Sequence, residues 1–195
     1  TRRSSDLLTS ATGVNTLETT FSKAASLTIN VANGTGTRTA SALPVTISGV
    51  SLTTTNLQNG TLVLALNTSV AVGRYTETIT VTDSATASAS IVITIIVNAA
   101  PTISYAGATS GAISFVTTKG GSLQSGAFTA ANGTGIKALT LSGTNTGISI
   151  DTTTAYTGVV TFGPLLGVLD TASARTYYET MTVTDSLSVT STRAF

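Results

Sequence analysis

Apolar and polar positions alternate with a period of two from Tyr75 to Ser84. Tyr75, Glu77, Ile79 and Val81 fall on one face, and Thr76, Thr78, Thr80 and Thr82 on the other. Alternation over β-branched residues predicts a half-buried strand. A helix would spread the threonines around its circumference instead of leaving one face. The same pattern returns from Tyr177 to Ser186, with Tyr177, Glu179, Met181 and Val183 on the inner face. The chain therefore holds two copies of one unit.

Further strands are predicted at Leu7-Leu8, at Leu17–Phe21, at Leu27–Val31, at Pro44–Ser48, at Leu62–Leu66 and at Ile91–Val97. Asn33-Gly34-Thr35-Gly36 and Asn59-Gly60 supply turns, because Asn and Gly tolerate positive φ. The second copy repeats these parts. The spacing between copies grows from 96 residues (Lys23 to Lys119) to 99 (Asn33 to Asn132) to 102 (Tyr75 to Tyr177). Small insertions of this kind belong in loops. Each unit reads as about seven short strands with turn signals roughly every ten residues, the signature of a Greek-key sandwich. The expected architecture is all-β: two tandem Ig-like Greek-key β-sandwiches, 1–98 and 99–195, the second with an incomplete last strand.

Composition narrows the chemistry. Charged residues make up 9% of the 195 residues, and the net charge is +1. An apolar share of 41% argues against a disordered chain. No basic patch with interleaved aromatics is present, which argues against nucleic acid. Cys and His are both absent, which removes disulfides and thiolate or imidazole metal sites, and no cofactor is expected. The longest apolar run, Ile91–Val97, is too short to span a bilayer as a helix. No signal peptide is visible at Thr1-Arg2-Arg3, so a secreted protein would be present here in mature or excised form.

Gly73-Arg74-Tyr75, the Thr/Val alternation, Thr82-Asp83-Ser84, Ile91–Val97 and Asn98 together resemble the Ig-like and cadherin-like tandem repeats of bacterial and archaeal surface proteins. In that resemblance the tyrosine begins the penultimate strand and the Ile/Val run is the last strand. It implies an extracellular or cell-surface protein. Calcium-binding members carry acidic clusters at domain junctions. The junction Asn98-Ala99-Ala100-Pro101 has no carboxylate, which argues against calcium.

Enzyme function is not expected. A nucleophilic triad lacks its histidine base, and Lys23, Lys119 and Lys137 lie in no recognisable motif. The carboxylate pairs Glu77 with Asp83 and Glu179 with Asp185 occur once per copy, which favours a structural role over one glycosidase site. Four Asn-x-Ser/Thr sites occur, at Asn33, Asn59, Asn67 and Asn132. They read either as turn chemistry or as glycan acceptors. Glu77 and Glu179 fall on the core face, where an ionised carboxylate costs several kcal/mol unless paired. Three outcomes are open: a buried pair with Lys23 or Lys119, a carboxylate snorkelling at the sandwich edge, or a crosslink. The last resembles the internal isopeptide bonds of Gram-positive pilins, with Lys23 joined to Asn98 beside Glu77.

Two apolar stretches, Ile91–Val97 and Val159–Leu169, read either as a central strand and a covered loop or as contacts with another subunit. The residues nominated for such contacts are Leu7, Leu8, Ile93, Ile95, Phe162, Leu165, Leu166 and Phe195. The 102-residue offset sets Phe195 at the position of Ile93, so a strand from a neighbour could complete the second unit, as in donor-strand pili. The N-terminal segment through Leu7-Leu8 is the expected donor. The function expected is that of a structural subunit of an extracellular filament or fibrous surface protein, partnered by copies of itself. The alternative is a binding module, either carbohydrate-binding or a virion surface domain. Its sugar platform would have to come from Tyr105, Tyr156, Tyr177 and Tyr178.

Overall fold

The structure is a computed structural model and describes residues 7–41, 47–118, 121–142, 148–152, 156–162 and 176–195. The chain divides into two compact units, Thr1–Ala99 and Ala100–Phe195.

The first unit holds β1 (Leu7–Ser10), β2 (Thr16–Thr20), β3 (Ala25–Ala32), β4 (Thr39–Ala40), β5 (Val50–Thr53), β6 (Thr61–Leu66), β7 (Gly73–Thr82) and β8 (Ser88–Asn98). A 3-10 turn, Leu57–Asn59, precedes β6. One sheet runs β1-β3-β6-β5 and the other β2-β8-β7-β4. All pairings are antiparallel except β2 with β8, which run parallel from Thr16 opposite Thr94 to Thr20 opposite Asn98. Strands one, two, five and four of the Greek key thus share a sheet, and the rest form the facing sheet. This is the immunoglobulin arrangement, with β2 added beside the last strand.

The second unit holds β9 (Thr102–Tyr105), β10 (Leu123–Ala131), β11 (Ala138–Ser142), β12 (Ile148–Asp151), β13 (Thr157–Phe162), β14 (Thr180–Thr184) and β15 (Thr190–Ala194). Its sheets run β12-β13-β10-β9 and β11-β14-β15, which is the same immunoglobulin partition. Both units are therefore all-β Ig-like sandwiches, as the alternation predicted.

The alternation sets each strand's faces. Leu62, Leu64 and Leu66 of β6 point inward, as do Ile91, Ile93, Ile95 and Val97 of β8. These residues meet Leu27, Ile29 and Val31 of β3 and Ile79 and Val81 of β7 in one aliphatic core. In the second unit Met181 and Val183 are buried with Ile103, Phe128 and Leu139. Tyr105, Phe115 and Phe195 pack against that cluster, with ring centroids 4.9–5.8 Å apart.

Several nominated subunit contacts are thereby corrected. Ile93 and Ile95 lie on a strand flanked by β2 and β7 and have no surface to offer. Phe195 stacks in its own core. Leu7 and Leu8 belong to β1, which is hydrogen-bonded to β3, and Leu8 is buried. This segment can serve as a donor strand only by leaving its own sheet. Phe162 lies in β13 opposite Leu123 and Ile148. Leu165 and Leu166 lie outside the described residues.

Candidate functional site

The most built-up polar site in each unit joins the turn after β7 or β14 to the loop that follows β3 or β10. In the first unit Asp83 directly follows β7 and is buried. Its Oδ1 accepts hydrogen bonds from the backbone N–H of Ala85 and Ala87, both at 2.9 Å. Its Oδ2 accepts one from the N–H of Thr35 at 2.8 Å, across 48 residues of sequence. The Ser84 hydroxyl donates to Thr35 O at 2.6 Å, and the Ser84 N–H donates to the same oxygen at 3.1 Å. Gly36 has φ +69°, and a Cβ there would collide with the Ser84 hydroxyl. Glycine is required at that close approach.

The second unit repeats the site atom for atom. Asp185 Oδ1 accepts from Leu187 and Val189 N–H at 2.9 Å each, and its Oδ2 from Thr134 N–H at 3.0 Å. The Ser186 hydroxyl donates to Thr134 O at 2.7 Å, and a Cβ on Gly135 would meet that hydroxyl. A carboxylate that accepts three backbone donors is a strong fastener, because charge-assisted bonds are about twice as strong as neutral ones. The Thr-Asp-Ser and Asn-Gly-Thr-Gly recurrences are the sequence signal of this clamp. The sequence marks both ends of it but does not join them.

At the start of β7, Tyr75 packs half-buried against the core, and its hydroxyl donates to Ala71 O at 3.0 Å. This tyrosine corner fixes the entry to the penultimate strand. Two residues on, Glu77 sits at the position that an inter-sheet cysteine takes in disulfide-bonded Ig domains. Its side chain is 1% exposed, and among the described residues Oε2 has no hydrogen-bond partner. Burial pushes its carboxyl pKa above the ordinary value by withholding water from the charged form. Glu179 is likewise buried.

For Glu77 these placements correct all three outcomes that the sequence left open, and for Glu179 they correct the edge position. Neither carboxylate snorkels at the edge: Glu77 is buried on the central strand β7, and Glu179 is buried just before β14. In the first unit Lys23 is exposed in the turn after β2 and forms no ion pair among the described residues. Glu77 stands opposite Ile93 on β8, five residues from Asn98, a span of about 17 Å along a strand. Asn98 instead donates its Nδ2 to Glu18 Oε1 at 2.7 Å. Lys23, Glu77 and Asn98 are not brought together, and the crosslink loses its polarising acid. Lys119 lies outside the described residues.

All four sequon asparagines, Asn33, Asn59, Asn67 and Asn132, are exposed. The four tyrosines do not form a common platform. Tyr105 is held in the core cluster and its hydroxyl accepts from Gly126 N–H. Tyr156 carries the Lys137 ammonium 5.1 Å above its ring, Tyr177 is half-buried, and Tyr178 stands 82% exposed.

Sequence reading missed two arginines. Arg38 donates to Asn33 O through Nε and Nη2, and its backbone is bracketed by the Gln58 carboxamide. Arg193 is buried, and its guanidinium donates to the carbonyls of Ile103, Ala108 and Ser110. An arginine on an inward strand position was the available signal. Among the described residues no helix is long and apolar enough to cross a membrane.

No protein-family model matches the chain. No curated protein matches it. Among solved structures, the chain is similar to DIP-gamma IG1+IG2, with 10% identity, a TM-score of 0.48, and coverage of 99% of this chain and 96% of that one. It is also similar to protocadherin gamma B7 extracellular cadherin domains 1-4, with 15% identity, a TM-score of 0.40, and coverage of 97% and 49%. The titin Ig tandem A164-A165 gives 9% identity, a TM-score of 0.33, and coverage of 92% and 91%. The chain spans about half the length of that protocadherin structure.

Proposed function

We propose that this chain is a force-bearing structural module of an extracellular surface protein or filament, associating with copies of itself. The observation that carries this reading is the parallel pairing of β2 with β8 over five residue pairs. These strands lie near the start and the end of their unit and run in the same direction. A pull on the two ends therefore loads their hydrogen bonds together in shear instead of opening them one at a time. Support comes from the buried polar groups. Asp83, Asp185 and Arg193 fasten loops to strands of their own unit, through bonds that resist opening.

The test is electron microscopy of the purified chain combined with single-molecule pulling on its ends. Filaments, and a first unit whose unfolding force falls when Leu17→Pro deletes an N–H from β2, are the expected results. A monodisperse monomer that is retained on a glycan array, with an unfolding force indifferent to Leu17→Pro, would overturn the reading in favour of a binding module.

A further inference from the structure

The geometry points to Asn67 as a preformed acceptor for N-linked glycan transfer. Four Asn-x-Ser/Thr sequons are exposed, so exposure does not choose among them. The carboxamide environments do. Asn67 follows β6 in the sequon Asn67-Thr68-Ser69. Its Oδ1 accepts two bonds from the residue two positions on: the Ser69 N–H at 2.8 Å and the Ser69 hydroxyl at 2.7 Å. A backbone N–H can only donate, so the bond fixes which end of the amide is oxygen. The oxygen side also lies against Gly49, where a Cβ would collide with it. The Asn67 N–H donates to Gly49 O at 2.9 Å, which holds the corner in place. Nδ2 is the other end of this exposed residue's carboxamide.

That arrangement suits the chemistry. An amide nitrogen is a poor nucleophile because its lone pair is delocalised into the carbonyl. Two donors on Oδ1 stabilise the negative charge that develops there as an N–H proton departs. The nitrogen then attacks C1 of a sugar carried on a polyprenyl pyrophosphate. The N–C1 bond forms, the C1–O bond to phosphate breaks, and the pyrophosphate leaves with the electron pair. The amide proton passes to a base of the transferase.

At Asn33 and Asn59 the sequon hydroxyl is not seated on the carboxamide among the described bonds. Asn132 donates its Nδ2 to Thr102 Oγ1 at 3.1 Å. Thr35, two residues after Asn33, has its backbone N–H and O held by the Asp83 clamp. Thr61, two residues after Asn59, opens β6 with its N–H on Asn56 O. The inference does not depend on whether the chain forms filaments.

The full chain, purified unglycosylated and folded, is incubated with an oligosaccharyl transferase and a polyprenyl-pyrophosphate oligosaccharide, and the products are mapped by mass spectrometry. The expected product is a single glycan at Asn67, formed at least about tenfold faster than at Asn33, Asn59 or Asn132. Asn67→Gln abolishes it and Ser69→Thr retains it. Gly49→Ala keeps the sequon but displaces the carboxamide, so it slows Asn67 in the folded chain and not in a denaturant-unfolded one. Equal rates at the four asparagines, transfer to another of them first, or no transfer to Asn67 would each overturn the inference. If Gly49→Ala fails to fold, the comparison of folded with unfolded wild-type chain decides alone, and faster modification of Asn67 after unfolding would refute preorganisation.

Discussion

Glu77 in β7 and Glu179, the residue before β14, stand at matching positions of the repeat, yet the cores that receive them are built from different side chains. The first is aliphatic, packed from Leu, Ile and Val on β3, β6, β7 and β8. The second is centred on Phe128, with Tyr105, Phe115 and Phe195 stacked around it. Opposite Ile79 the first unit places Ile91, and opposite Met181 the second places Arg193. That arginine is buried on three backbone carbonyls. The clamps around Asp83 and Asp185, by contrast, have the same donors at nearly the same distances. A core can be filled in several ways if its volume and apolarity are kept. A carboxylate that must meet three backbone N–H groups allows one arrangement.

The comparison breaks most visibly at the cores. Phe128→Ala should cost about 4 kcal/mol and Ile29→Ala about 3 kcal/mol. In the full chain, hydrogen exchange resolved by unit should show each loss in its own sandwich only. A nearly neutral Phe128→Ile would mean that the aromatic stacking adds nothing beyond volume.

The clamps should respond more evenly. Asp83→Ala and Asp185→Ala each strand three backbone donors, and each should destabilise its unit by about 3 kcal/mol. Losses differing by more than about 1 kcal/mol would show that the repeated geometry hides unequal energetics.

The smallest effect is expected from pH. The raised pKa of Glu77 means that the folded state holds its proton more tightly than the unfolded chain. Its contribution is fully present below the ordinary value of 4.5 and is lost as pH rises through the folded pKa. In urea unfolding measured from pH 4 upward, the wild-type midpoint should fall relative to that of Glu77→Gln as pH rises through the folded pKa. Parallel profiles would show that Glu77 titrates normally.

Much of the sandwich was legible in the sequence because its signal is local. Period-two alternation assigns faces to Ile79, Val81, Met181 and Val183 from neighbours two residues away, and all four are buried. The same alternation put Glu77 and Glu179 inward, and both are buried. The site was less legible. Thr-Asp-Ser and Asn-Gly-Thr-Gly were visible as recurrences, but their joining across 48 residues was not.

The sequence by itself determined the alternating strands β3, β6, β7, β8 and β14 and their inward faces, because strand sterics and hydrophobic alternation act between near neighbours. The strand expected at Pro44–Ser48, by contrast, is bend and turn at Ile47 and Ser48, with Pro44–Thr46 outside the described residues. Only the tertiary structure decided which remote groups meet. Asn98 lies beside Glu18 because β2 adds in parallel to β8, and that pairing leaves Glu77 far from it. Leu8 is buried because β1 joins β3, so the segment that the repeat offset offered as a donor is already paired within its own unit. Such contacts depend on strand order and register, and these are set by burying both sheets against each other at once.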